Sequence, residues 1–181
     1  MMENHYAKDR QNGFAGFSSS HCATWAQSSQ VAFAERADYE FYLATLPEFT
    51  DVYGVKVYAY CLMTNHVHLL VVPEDIVGLG GSMKRLAERQ TRYHNRLEGR
   101  TGTLWESRYK SSPVDSDNYL LTCTRYIELN PVRARMVSAP EAYAWSSCRS
   151  RLKRNPQGGG RRHASHVCFA WHTSTYRSTQ E

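Results

Sequence analysis

Three observations predict an α+β fold for this chain: two adjacent β-rich runs able to close a hairpin, a further short strand, and three stretches of helically spaced apolar residues interleaved with them. At 181 residues the chain has room for one domain with a sizeable core. Its hydrophobic fraction of 41% and charged fraction of 22% are those of a globular chain. No apolar run approaches the roughly 20 residues that span a bilayer, so a cytoplasmic location is expected. Five cysteines (Cys22, Cys61, Cys123, Cys148, Cys168) are scattered without a close pair, which argues against a zinc knuckle, a redox motif or a disulfide framework.

The first helix is expected to start at Asp38 as N-cap, to carry Tyr39, Tyr42, Leu43 and Leu46 on one stripe, and to end at Pro47. Val55, Val57, Ala59 and Cys61 then alternate with Lys56, Tyr58 and Tyr60, the period of a strand, and residues 66–72 form a second strand closed by Pro73. A helix over residues 82–97 puts Met83, Leu86, Gln90, Tyr93 and Leu97 on one face and Arg85, Arg89, Arg92 and Arg96 on another, with Gly99 and Gly102 after it. Residues 103–110 read as a strand, 113–115 as the loop leaving it, and 117–130 as the last helix, because Pro131 disfavours helical geometry in the residue before it. The first thirty residues and those after Ser147 show no periodicity. The expected organisation is an irregular arm over 1–30, one domain over 31–147 and an irregular basic tail over 148–181.

Net charge is +5, and between Lys84 and Arg135 eleven Lys and Arg stand against six Asp and Glu. That placement points to a phosphate backbone as partner. His66 and His68 lie two apart in a strand, so both imidazoles leave one face and can converge on one ion, while Val67 turns the other way. Two half-buried histidines bonded to their neighbours are the plainer alternative. On the last helix Tyr126 and Asn130 are four apart and share a face, so an Asn130 oxygen can join the imidazoles around a hard cation. A packed tyrosine and an asparagine stop before Pro131 fit the same spacing. A phenolic oxygen attacks a phosphodiester when a metal polarises the phosphate oxygens. The Arg85, Arg89, Arg92, Arg96 stripe can track a backbone, and Trp105 and Tyr109 can stack on unpaired bases, although such a stripe also suits a solvated helix face and Trp105 a core.

These residues carry a family resemblance. The run from Tyr60 to Leu70, with His66-Val67-His68, resembles the His-hydrophobic-His strand of single-tyrosine transposases in the HUH nuclease superfamily. The run Arg125-Tyr126-Ile127-Glu128-Leu129-Asn130-Pro131-Val132-Arg133 resembles the tyrosine helix of their REP-associated branch, as do Leu104, Trp105, Glu106, Arg108, Tyr109 and Lys110, and Trp145-Ser146-Ser147. The resemblance implies a ferredoxin-like antiparallel sheet with helices packed on it. It implies metal-dependent nicking and rejoining of single-stranded or hairpin DNA through a 5′-phosphotyrosine, by a monomer or homodimer. Tyr126 would be the nucleophile, His66, His68 and Asn130 the ligands of Mg²⁺ or Mn²⁺, and Arg85, Arg89, Arg92, Arg96, Trp105, Arg108, Tyr109 and Lys110 the DNA contacts. Tyr119, also on that helix, is expected to pack it rather than react.

The family's opening strand, of the form His-x-Val-Val-Gln-Arg-Gly-x-Asn-Arg, is missing. In its place stand residues 20–28, which can be encoded so that a frame displaced by one base reads Arg-Ile-Val-Gln-Arg-Gly-His-Asn. Residues 159–166 can likewise be encoded to yield Ala-Asp-Ala-Val-Thr-Pro-His. The arm and tail are therefore expected to be frame-shifted, with the first strand missing or replaced by coil. Two other functions fit the same residues: a DNA-binding regulator or decayed remnant without chemistry, and a metal-storing protein using the histidines alone.

Overall fold

The computed structural model describes residues 20–26, 31–114 and 117–154. Four strands, β1 (Ser20–Ala26), β2 (Val55–Leu62), β3 (His66–Pro73) and β4 (Lys110–Val114), form one antiparallel sheet in the order β2-β3-β1-β4. The expected coil at the first strand is corrected. Ser20–Ala26 pairs with β3 on one side and β4 on the other, in the interior of the sheet. Backbone N–H and C=O groups make that ladder whatever the side chains, so the demand of β3 and β4 for partners overrides a polar local sequence. Residues 1–19, 27–30, 115–116 and 155–181 lie outside the described residues, and with them most of the expected arm and tail and the end of the expected 113–115 loop.

Helices α1 (Arg36–Val52) and α2 (Ile76–Glu98) cover one face of the sheet, and α3 (Asp117–Glu128) the other. Short helices α4 (Asn130–Arg133) and α5 (Cys148–Arg154) follow, the latter where an irregular tail was expected. The expected N-cap moves from Asp38 to Glu35. Asp38 instead turns its carboxylate back to the amides of Ala34 and Glu35, at 2.8 Å each, as the third residue of a capping box. Pro47 does not end α1, because Leu46 and Thr50 are buried on either side of it and that packing offsets the lost helix bond. The strand expected over 103–110 is displaced to Lys110–Val114, an edge strand that tolerates Pro113. Gly99 closes α2 in the left-handed conformation, φ +61°.

The strict alternation expected in β2 also fails, through a β-bulge at Tyr58. Before it Val55 and Val57 face α1 and α2; beyond it Tyr60 and Leu62 take that face, while Ala59 and Cys61 turn toward α3. In β3, Val67, Leu69 and Val71 pack under α1 and α2, whereas Leu70 belongs to the opposite cluster with Leu120 and Ile127 of α3 and Val114 of β4. His66 and His68 therefore belong to the α3 face.

The outer edge of β2 is covered rather than exposed. The Leu62 amide donates to the Trp145 carbonyl at 2.9 Å, and the Ser147 amide to Tyr60 at 3.0 Å. Ser147 Oγ donates to Glu128 at 2.7 Å, and Arg151 pairs with Glu128 at 3.0 Å and donates to the Tyr58 carbonyl, also at 3.0 Å. Trp145 stacks on Tyr39 with centroids 4.5 Å apart. Glu128 thus ties the end of α3 to the sheet. Glu128→Ala removes the carboxylate shared by Arg151 and the Ser147 hydroxyl, leaving them only the carbonyls of Tyr58 and Tyr60, and should lower the unfolding free energy by about 1–3 kcal/mol in urea titration. An unchanged midpoint would show that the clamp contributes nothing to stability.

Candidate active site

His66 and His68 stand edge to face on β3, ring centroids 4.8 Å apart and planes at 90°. Val67 between them is fully buried on the opposite side, as its place in the strand requires. His68 is buried and His66 half-buried. Burial pushes His68 down to about 4, with the neighbouring His66 adding to the effect, and burial also lowers His66. Both rings are therefore neutral at pH 7, the form that offers a lone pair. Nδ1 of His66 lies 2.7 Å from Oδ1 of Asn65. Because that oxygen can only accept, Nδ1 carries the hydrogen and Nε2 is left as the basic nitrogen.

Tyr126 comes to this pair from α3. Leu120 and Ile127, seven residues apart, anchor the helix in the core, and the turn between them brings the Tyr126 ring edge-on to His68, centroids 6.0 Å apart at 85°. The ring remains 45% exposed, so its oxygen has access to a large substrate. The guanidinium of Arg133 lies over the ring, 4.7 Å from its centroid. Asn130 donates from its side-chain nitrogen to the carbonyls of Tyr126 at 3.0 Å and Ile127 at 3.4 Å, so it does stop the helix. Its side-chain oxygen accepts nothing among the described residues, and the helix-stopping role leaves it open as a donor to a cation. Among the described residues no cluster of three His, Cys, Asp or Glu surrounds the pair. Tyr119, expected to pack its helix, is instead 51% exposed; the Tyr126 ring is the one that meets His68.

The eight expected DNA contacts separate onto two faces. Arg85 and Arg89 are engaged by Glu88 at 3.4 Å and Glu48 at 3.1 Å, while Arg92 and Arg96 are exposed on α2. Arg92, Arg108 and Tyr109 line a groove of about 800 Å³ between α2 and the segment leading to β4, together with Lys84. Trp105 corrects the stacking expectation: only 5% exposed, it belongs to the core under α1 and α2. All of these lie on the α1–α2 side of the sheet, away from the histidines. Lys110 is different. Thr24 pairs with both His68 and Lys110, which puts Lys110 in the same cross-strand row, two strands and about 10 Å away. Val114 faces α3, and four residues of alternation return exposed Lys110 to that same face.

Asn65, Glu128 and Arg151 support the site without having been expected as site residues. Asn65 and Glu128 lie inside the two motif runs quoted for the resemblance, and Arg151 lies beyond them.

No curated protein matches the chain. In fold it is similar to a REP-associated tyrosine transposase solved bound to a REP hairpin, with a TM-score of 0.61, 11% identity, and coverage of 80% of this chain and 87% of that one. It is also similar, more distantly, to a protein of Deinococcus radiodurans described as a transposase, with a TM-score of 0.45, 18% identity and coverage of 65% and 95%. Among the described residues no helix is long and apolar enough to cross a membrane. The model of the IS200-like transposases matches residues 18–130, which spans β1, the histidine pair and the helix of Tyr126, and the chain belongs to that family.

Proposed function

We propose that this transposase nicks and rejoins single-stranded or hairpin DNA through a covalent 5′-phosphotyrosine on Tyr126. The observation that carries the reading is the meeting of the exposed Tyr126 ring with His68, beside His66, on the α3 face of the sheet. In the step, the phenolic oxygen bonds to the scissile phosphorus as the bond from phosphorus to the 3′ oxygen breaks. The phenolic proton passes to solvent, the departing oxygen takes up a proton to become a 3′ hydroxyl, and the diester keeps its single negative charge. Attack by a 3′ hydroxyl reverses the step, so rejoining needs no ATP. The hairpin bound by the REP-associated relative supports a hairpin as substrate.

His66, His68 and Asn130 would hold Mg²⁺ or Mn²⁺, since two neutral imidazoles and an amide oxygen with solvent on one side suit a cation with open positions. When bound, the ion would polarise the non-bridging phosphate oxygens. Asn65 fixes the tautomer of His66, Lys110 holds a neighbouring phosphate on the same face, and Lys84, Arg92 and Arg108 grip DNA in the groove on the other. A binder without chemistry needs that groove alone.

Tyr126→Phe removes one exposed oxygen, so stability should stay within about 0.5 kcal/mol and DNA affinity should hold, while labelled DNA should no longer become linked to protein. Tyr119→Phe should keep a substantial rate. A covalent band surviving in Tyr126→Phe rules out this nucleophile, and a wild-type chain that binds hairpins but never nicks them moves the reading to the binder. Chelation by EDTA should abolish cleavage, with either Mg²⁺ or Mn²⁺ restoring it; nicking undiminished in EDTA contradicts the metal assignment. For the groove, replacing Arg92 and Arg108 by Gln should flatten the dependence of log affinity on log salt by roughly 0.7 for each phosphate no longer neutralised, and Arg89→Gln by less, because Glu48 already holds that side chain. An unchanged slope in the double variant would remove the groove from the DNA interface.

A further inference from the structure

We infer that Arg133 is a further catalytic residue, the one that receives the scissile phosphate and neutralises the charge that gathers on its non-bridging oxygens while Tyr126 attacks. The inference rests on the reading of Tyr126 as nucleophile. Its own support is positional. The guanidinium lies over the face of the Tyr126 ring, 4.7 Å from the centroid, so a phosphorus bonding to the oxygen at that ring's rim comes within reach of the guanidinium N–H groups. The side chain is exposed, and among the described residues no carboxylate pairs with it. The nearest acid in sequence, Glu128, is turned to Ser147 and Arg151. Among the described residues Arg133 thus stands beside the nucleophile with its hydrogen-bonding capacity uncommitted, in contrast to Arg85, Arg89 and Arg151.

The backbone fixes that position. Pro131 restarts the chain as α4 immediately after α3, and the Arg133 amide donates to the Leu129 carbonyl at 3.0 Å, the bond of a helical turn. Behind it the Met136 amide returns to Pro131 and the Arg135 amide to Val132, both at 2.9 Å, which closes α4 with Arg135 in the left-handed conformation at φ +57°. The turn carrying Arg133 is therefore closed at both ends rather than left to swing. A planar fork presented beside an attacking oxygen matches the two non-bridging oxygens of a diester, which a lysine, as a point charge, matches less well.

The test compares two hairpin substrates that differ only at the cleaved linkage, one an ordinary phosphodiester and one a methylphosphonate, in which a non-bridging oxygen is replaced by an uncharged methyl group. On the phosphodiester, Arg133→Ala should slow formation of the covalent adduct on the order of 10²-fold at saturating DNA, with hairpin affinity changed less than about threefold, and Arg133→Lys should recover part of the rate. On the methylphosphonate there is no negative charge to neutralise, so Arg133→Ala and wild type should react at the same rate. A purely structural role predicts an equal defect on both linkages, and that result overturns the inference, as does an Arg133→Ala rate on the phosphodiester equal to wild type. A wild-type chain that forms no adduct on either substrate overturns the nucleophile reading and this one with it, whereas an active wild type with an unaffected Arg133→Ala overturns this one alone.

Discussion

The carboxylate of Glu128 lies where three parts of the molecule meet: the end of α3, the segment of residues 145–147 along the edge of β2, and Arg151 on α5. Each of these would have an unmet need without it. The end of α3 must be held against a sheet rather than left to fray, the edge of β2 must be covered, and the carbonyl that the bulge at Tyr58 leaves out of the ladder must find a donor, which Arg151 supplies. One buried acid answers all three because its two neighbours also bond the strand. Tyr126 is half a turn upstream, so the angle at which its ring meets His68 depends on this anchorage together with the apolar grip of Leu120 and Ile127.

The site combines a dry side and a wet one. His68 is buried and held neutral by that burial, while the Tyr126 ring beside it is nearly half exposed. A fully buried tyrosine could not admit a nucleic-acid chain, and fully exposed imidazoles would share their lone pairs with protons near neutral pH. The strand supplies the first condition and the surface helix the second.

The elements whose residues repeat with a clean period could be read from the sequence: the hairpin, the body of α2 and α3, and the placement of His66 and His68 opposite Val67. The histidine pair and Tyr126 were legible because period 2 and period 3.6 each fix a face, and their meeting needed only the two elements to pack. What escaped was set by partners distant in sequence. The extra residue at Tyr58 reverses the facing of half of β2, and no local pattern announces it. Pro47 reads as a stop until Leu46 and Thr50 are seen buried around it. The polar run at Ser20–Ala26 looks like coil because its strand character comes from the two neighbours that bond it. Trp105 could equally have stacked on a base or filled a core, and only burial decides for the core. The arginine stripe was correctly placed on one face of a helix, but the sequence does not say which side of the sheet that helix covers.

The ring of Tyr126 and the ring of His68 meet within a single chain. An arrangement borrowed from a second copy would assemble only as fast as copies encounter one another, and its output would rise with the square of protein concentration at high dilution. Here the two rings are joined by one covalent chain and by the Glu128 anchorage, so their meeting needs no encounter between copies and survives dilution.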